Sequence, residues 1–469
     1  MSIAVQQCLL DAVGGNALLA TFPTTPLYQE LDVKPYNLDH PVTPAAVTFP
    51  ETIQQIANIV KCAAEADIKV QARSGGHSYA NYGIGGVDGA IVVDVKNFQQ
   101  FSYDPTTHYA TIGAGTLLAD VSNKLNTVGR AMAHGTGPQI GIGGHATIGG
   151  LGPASRMWGS ALDQIESVQV VLANSSIVTA SATENPDLFF GIQGAGASFG
   201  IVTDFTFRTQ PAPGEAVQYQ LLFNLGDTAS RANTFKAWQK LISDPDLPRE
   251  FASNVILTEG TLLIQGTYFG TEAEFDAFQL ESKFPANQGF NTTVFNDWLG
   301  LVGYWAVDAV EDIGGGLPVH FYAKSLPFTN KTLIPDDVVD DFFEYLDTAD
   351  KGTLTWVIFL DLEGGKTSDP PVDSSAYFHR DALFWIQTYA INLLGPVSAT
   401  TNTFLNEINN IFLTKMANPP YGAYAGYVDP ELTNPQDEYW GSNLERLIQI
   451  KAAIDPQDVF HNPQSVPVK

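Results

Sequence analysis

The 469-residue chain is 44% hydrophobic and 11% aromatic, a globular composition that excludes a disordered protein and allows two or three domain-sized units. Only 23 Lys and Arg stand against 50 Asp and Glu, a formal charge of −27. That balance argues against nucleic acid or an anionic membrane surface as partner and suits a neutral substrate. No apolar run reaches the roughly 18 residues a membrane-spanning helix needs.

The chain opens Met1-Ser2-Ile3-Ala4 without an apolar signal core, and reads as a mature form with an added Met. Cys8 and Cys62 are its only cysteines. Two free buried thiols are one reading. The even count, the low Lys content and sequons at Asn174, Asn291 and Asn330 favour a secreted chain with a Cys8–Cys62 disulfide. Thr48-Phe49-Pro50-Glu51 reads as a capping box with Pro in the first turn, and Ile53, Ile56, Ile59, Val60 and Ala63 follow at helical spacing. Ile68 to Ala72 alternates like a strand. Ala90 to Asp94 and Val168 to Leu172 are β-branched apolar runs, expected as buried strands. Pro211-Ala212-Pro213-Gly214 punctuates the chain. Beyond it lie aromatic-rich strands (Leu262 to Phe269, Trp356 to Asp361), helical patterns at 336–347 and 401–416, and a Tyr- and Pro-rich end from about residue 420.

Glycine is concentrated before residue 201. Arg73-Ser74-Gly75-Gly76-His77-Ser78-Tyr79 follows a predicted strand, and consecutive glycines let backbone N–H groups converge on an anion such as a pyrophosphate. A histidine closing that loop would sit beside the rest of the same ligand. Gly141-Ile142-Gly143-Gly144-His145-Ala146 also fits the G-x-G-x-x-G/A pattern of a nicotinamide dinucleotide site, with Asp163 as its ribose contact. Met132 to Gly137 makes a poor strand before it, and a second glycine loop already exists, so that reading is the weaker one.

Taken in order, the 73–79 loop, His134-Gly135-Thr136, the 141–145 loop and Phe190-Gly191-Ile192-Gln193-Gly194-Ala195-Gly196-Ala197-Ser198-Phe199-Gly200-Ile201-Val202 resemble the FAD domain of the vanillyl-alcohol-oxidase superfamily. Tyr439-Trp440-Gly441-Ser442-Asn443-Leu444, Asp455-Pro456-Gln457-Asp458-Val459-Phe460 and Asn462-Pro463-Gln464-Ser465 resemble the tail of berberine-bridge-enzyme-like oxidases, among which the likeness is greatest to fungal oligosaccharide oxidases. The resemblance implies an α+β fold. Residues 1–210 and 420–469 would bind FAD through a PCMH-type fold, and residues 211–419 would lay an antiparallel sheet over the isoalloxazine. The cysteine pair matches a disulfide position of these relatives.

The same resemblance assigns the site. His77 would carry an 8α-N-histidyl bond to FAD. Arg73, Ser74, Gly75, Gly76, Ser78, Gly135, Thr136, Gly141, Gly144, His145, Gly149, Ile201 and Asn462 would hold the cofactor, and no metal ligands are assigned. Tyr427 in Gly426-Tyr427-Val428-Asp429 matches the general base, and Asp361 its carboxylate helper. Asp361 also lies in an apolar strand, where an unpaired carboxylate is costly and so calls for a partner. Tyr79 and Gln387 match sugar contacts. Gln265, polar in an apolar strand, is a further subsite candidate; Lys366 and His379 are read as structural.

Three positions depart from the pattern. Gly137 stands where many relatives carry a second flavin-linking cysteine, so a single covalent link is expected. Ile140 stands at the small pocket where O₂ meets reduced flavin, and its extra methylene points to a dehydrogenase with a quinone-like acceptor, unless O₂ still enters. Val357 and Phe359 replace a Trp and a Gln on the aspartate's strand, leaving cello-, xylo- and chito-oligosaccharides all open. The expected activity is oxidation of a neutral reducing-end sugar at C1 to the lactone by a monomer with an external electron acceptor. The alternatives are a secondary-metabolite alcohol or amine oxidase and a non-catalytic flavoprotein.

Overall fold

The computed structural model describes residues 1–469 apart from 224–226, 286–288, 314–317 and 353–354. Its N-terminal helix, Ile3–Ala12, is capped by Ser2 and tied by the Cys8–Cys62 disulfide to the helix Ile53–Glu65. The capping box of that second helix is one turn later than expected. Thr52 and Gln55 form it, because Thr48 is used by the strand Ala46–Thr48, in register with Val93 and with its hydroxyl on the Val92 carbonyl.

Three parallel strands, Ala46–Thr48, Ile91–Asp94 and Val70–Arg73, form a small sheet edged antiparallel by Ala20–Thr21. The strand expected at 68–72 begins two residues late. Its pairing to 91–94 sets the register and delivers Arg73 to the end of the strand, where the glycine loop begins. A five-stranded antiparallel sheet follows, ordered Phe101–Asp104, Tyr109–Gly113, Ile201–Arg208, Ile165–Val171, Ile177–Ser181.

The chain then builds a seven-stranded antiparallel sheet. Its order is Gly289–Phe295, Ala216–Phe223, Thr261–Tyr268, Asn254–Thr258, Trp356–Leu362, Ala382–Asn392, His320–Thr329. Helices Thr228–Ile242, Asp336–Thr348 and Ala399–Lys415 bury one face of it, with Phe235, Trp238, Phe342 and Phe412 packing among Ile358, Leu360 and Ile386. Strand alternation then turns Val357, Phe359 and Asp361 to the opposite face, toward the glycine loops.

The last helices, Pro435–Trp440 and Leu444–Ile454, return to the first core, which takes in Leu447, Ile450, Val459 and Phe460. Lys451 anchors them. It is fully buried, paired with Asp455 at 2.7 Å, and donates to the Ser198 and Phe460 carbonyls. Among the described residues no helix is long and apolar enough to cross a membrane.

Candidate active site

Between the glycine loops and the bare face of the seven-stranded sheet lies a cavity of about 490 Å³. On the loop side it is lined by the whole Arg73–Tyr79 segment, Gly135, Thr136, Gly137, Ile140, Gly141, Gly144, His145 and Asn462. The two loops interlock backbone to backbone. A Cβ on Gly75 would lie 2.3 Å from the Gly141 nitrogen, and one on Gly141 would lie 2.0 Å from Ser74 Oγ. Ser74 Oγ is fixed on the Ala114 carbonyl at 2.6 Å, and Gly76 takes φ +77° to close the turn before His77.

Several assigned cofactor residues turn out to hold the loops. Arg73 is buried, paired with Asp94 at 2.7 Å, and donates its remaining hydrogens to the Val33 and Asp32 carbonyls. His145 accepts the Gly135 N–H at 2.9 Å; burial brings its pKa down to about 3, so the ring is a neutral acceptor. Gly149 and Ile201 do not line the cavity. A Cβ on Gly149 would meet Tyr424 Oη at 2.4 Å, and Ile201 is fully buried in register with Val171. Both support the wall from behind. Asp163 has no ribose role: it pairs with Arg380 at 2.7 Å and accepts from Ser160. His379 is buried on the Glu438 carbonyl and Lys366 pairs with Asp369, both structural as expected.

His77 projects into the cavity beside Tyr36, with ring centroids 4.8 Å apart. Burial lowers its pKa to about 4, which keeps the imidazole neutral and its lone pair available. Gly137 and Ile140, three residues apart in sequence, are neighbours in space. A Cβ at position 137 would lie 2.8 Å from Ile140 Cδ1.

The sheet side is organised by register. Asp361 lies opposite Asn254 on one neighbouring strand, and Phe359 lies opposite Gln387 on the other. Gln387 Nε2 donates to Asp361 Oδ2 at 2.7 Å. Asp361 therefore does have a partner, but the hydrogen bond comes from Gln387 and not from the tyrosine expected to supply it. Burial raises the Asp361 pKa to about 6, opposed by hydrogen bonds from Gln387 and Asn254. Tyr427 is buried on the same cavity wall; its phenol is pushed well above its usual pKa by burial first and by the Asp361 charge second. Its ring lies parallel to that of Tyr79, centroids 6.2 Å apart. Gln265 also lines the cavity and accepts from Gln220 at 3.0 Å.

Tyr389 is a site residue that sequence reasoning missed. Its hydroxyl donates to Gln387 Oε1 and lies 2.8 Å from the Tyr79 hydroxyl. A carboxylate can only accept, so the proton order of this chain is forced. Tyr79 donates to Tyr389, Tyr389 to Gln387, and Gln387 to Asp361. The signal was present, because Tyr389 follows Gln387 by two residues and must share its face.

These walls fit a flavin dinucleotide: backbone without side chains where a pyrophosphate would approach, a neutral imidazole, and a buried acid–phenol pair opposite. Residues 44–181 match the family described as FAD binding domain, and residues 423–467 match the one described as berberine and berberine like. The FAD-linked oxidoreductase sorD of Penicillium rubens is 41% identical over 99% of this chain and 98% of its own. The chain belongs to the berberine-like FAD-linked oxidoreductases. Among solved structures of these oxidoreductases, a xylooligosaccharide oxidase from Myceliophthora thermophila C1, in complex with xylobiose, superposes with a TM-score of 0.89 at 33% identity, covering 99% of both chains. A glucooligosaccharide oxidase from Acremonium strictum superposes at 0.87, with 30% identity and 98% of both chains covered; its description names a 6-S-cysteinyl, 8α-N1-histidyl FAD. FAD is the cofactor of this oxidoreductase, and its fold is the α+β, PCMH-type one expected.

Proposed function

We propose that this oxidoreductase removes a hydride from C1 and a proton from the C1 hydroxyl of a reducing oligosaccharide and releases the lactone. FAD supplies the hydride acceptor and is anchored by one covalent bond, through His77. The observation that carries this reading is the burial of Tyr427 within the field of the Asp361 charge, in one cavity with the His77 loop. Tyr427 takes the hydroxyl proton as hydride leaves. A free tyrosinate beside Asp361 is strongly disfavoured, so Tyr427 gives up its own proton as it gains the substrate's. Asp361, ionised above about pH 6, is the sink for that proton. Gln387 and Tyr79 orient the sugar. Replacing Tyr427 by Phe should leave FAD bound and abolish anaerobic flavin bleaching by oligosaccharides. Near-normal bleaching in that variant would remove the assignment.

Gly137 and Ile140 support a single tether and slow use of O₂, with a quinone-like acceptor as oxidant. Bleached enzyme opened to air should recolour slowly. Ile140→Val should hasten it about tenfold, the scale of one methylene in a tight pocket. Instant recolouring of the unmodified enzyme would contradict the dehydrogenase reading.

One observation favours a second reading. Val357, Phe359, Ile256, Phe321 and Ile391 form a single apolar cluster on the sheet face that bears Asp361. An apolar alcohol, such as a secondary metabolite, would suit that surface better than a sugar chain. Bleaching by apolar alcohols, with none by cello-, xylo- or chito-oligosaccharides, would select it.

A further inference from the structure

Asp361 is not the only carboxyl on its face of the sheet. Glu363 follows it by two residues, lines the same cavity and is 4% exposed; its Oε2 makes no hydrogen bond. The nearby guanidinium of Arg156 acts on it through charge and not through a hydrogen bond: Arg156 donates to the backbone carbonyls of Phe251, Pro248 and Glu363 itself. A buried polar oxygen without a partner costs about 1–3 kcal/mol, so the position calls for a ligand atom.

The strand supplies a ruler. Phe359 and Asp361 share one face, and Glu363 continues it one residue past the strand's end, its N–H on the Leu383 carbonyl at 2.7 Å; at about 6.8 Å per step that is about 14 Å in all. Phe359 stands at the His77 end: it packs on Tyr389, which is hydrogen-bonded to Tyr79, two residues from His77. Asp361 stands at the middle, with Tyr427 in the field of its charge. Glu363 stands at the far end, beside Arg156 and the Tyr424 ring whose hydroxyl accepts the Gly150 N–H. A flavin held at its 8α carbon by His77 presents the same sequence along its length: an apolar dimethylbenzene ring, the reactive N5 centre, then a polar imide edge of C=O and N–H groups.

We propose that Glu363 is a cofactor-contacting residue that hydrogen-bonds the imide edge of the flavin through its buried carboxyl. Burial first, and the Asp361 charge second, hold its pKa well above the usual carboxylate range. The neutral acid offers one donor and one acceptor, which match an imide edge. Donation to a flavin carbonyl strengthens as that oxygen gains charge on reduction, so Glu363 raises the flavin potential. It thereby takes over part of what a second covalent tether would supply at Gly137.

The placement rests on the His77 anchor, which is checked separately by flavin remaining on acid-precipitated protein. With the anchor verified, the potential and absorbance spectrum of holoenzyme without substrate test Glu363. Glu363→Leu should shift a redox-dye equilibrium toward oxidised flavin by about tenfold, about 30 mV for a two-electron couple, and move the flavin bands. Glu363→Gln, which keeps a donor and an acceptor, should stay near the unmodified enzyme. A folded, flavinylated Leu variant with unchanged potential and spectrum overturns the proposal; a raised KM alone would then assign the carboxyl to the substrate. Should the Leu variant not fold, Glu363→Asp decides, because drawing the acid back by one methylene must still lower the potential.

Discussion

Asp361 is placed where a carboxylate destabilises the fold, and the proposed proton path gives a reason to keep it there. Its pKa is raised from 3.8 to about 6. A raised acid pKa adds no instability below the unfolded value, where both states are protonated. Stability is then lost as pH climbs through about 6, by an amount on the order of 3 kcal/mol. Asp361→Asn should therefore stabilise the protein at pH 8 and leave it nearly unchanged at pH 4, as read by urea unfolding at the two pH values. The same substitution should remove the limb near pH 6 from the rate of anaerobic flavin reduction, since that limb reports the ionised sink. An unaltered pH profile would detach Asp361 from the proton path. Tyr389 tests the chain behind it. Tyr389→Phe leaves Gln387 Oε1 without its donor, and at about 1–3 kcal/mol should slow reduction by about fivefold to 150-fold. Tyr389→Phe should shift the apparent pKa near 6, which a purely structural role would not do. Tyr427, Asp361 and Gln387 were legible in the sequence because each sits in a short motif. Tyr389 and Glu363 were not singled out, because their roles depend on register between strands far apart in the chain: Tyr389 lies opposite Val357, and Glu363 beside an arginine some two hundred residues earlier.

The strand Trp356–Leu362 shows how an element can be read correctly and its meaning still be incomplete. Its aromatic and apolar run predicted a strand, and it is one, nearly all buried. Only the helices behind it decide which residues face the cavity, by claiming Ile358, Leu360 and Leu362 for the core. The helix Ile53–Glu65 shows the reverse case. Its apolar spacing was legible, but the capping box was read at Thr48, and pairing of Thr48 with the strand Ile91–Asp94 moves it one turn on, to Thr52. That helix is joined to Ile3–Ala12 by a disulfide that spans 54 residues. Replacing both cysteines by Ala should cost about 2–4 kcal/mol, measured by denaturant unfolding, because the open chain regains the entropy of that loop. Flavin reduction should be unaffected, since neither helix lines the cavity. A loss of activity equal to the loss of stability would mean that these helices shape the site.

At the scale of the whole molecule, the charge of −27 acts on the second substrate more than on the first. Many basic side chains are already committed: Arg73 to Asp94, Arg380 to Asp163, Lys324 to Asp429 and Lys451 to Asp455. The acidic surplus is therefore left to set the outer field. A neutral sugar is indifferent to that field, but an electron acceptor need not be. Reoxidation of the bleached enzyme by an anionic acceptor such as ferricyanide should speed up as salt is added, on the order of tenfold between about 10 mM and 150 mM, as the screening length contracts to about 8 Å. A neutral quinone should show no such dependence. The comparison uses one enzyme and one reduced flavin, so any change belongs to the approach of the acceptor and not to the chemistry at the ring. If both acceptors ignored salt, electrons would leave at a mouth whose local charge is balanced, and net charge would have no part in choosing the acceptor.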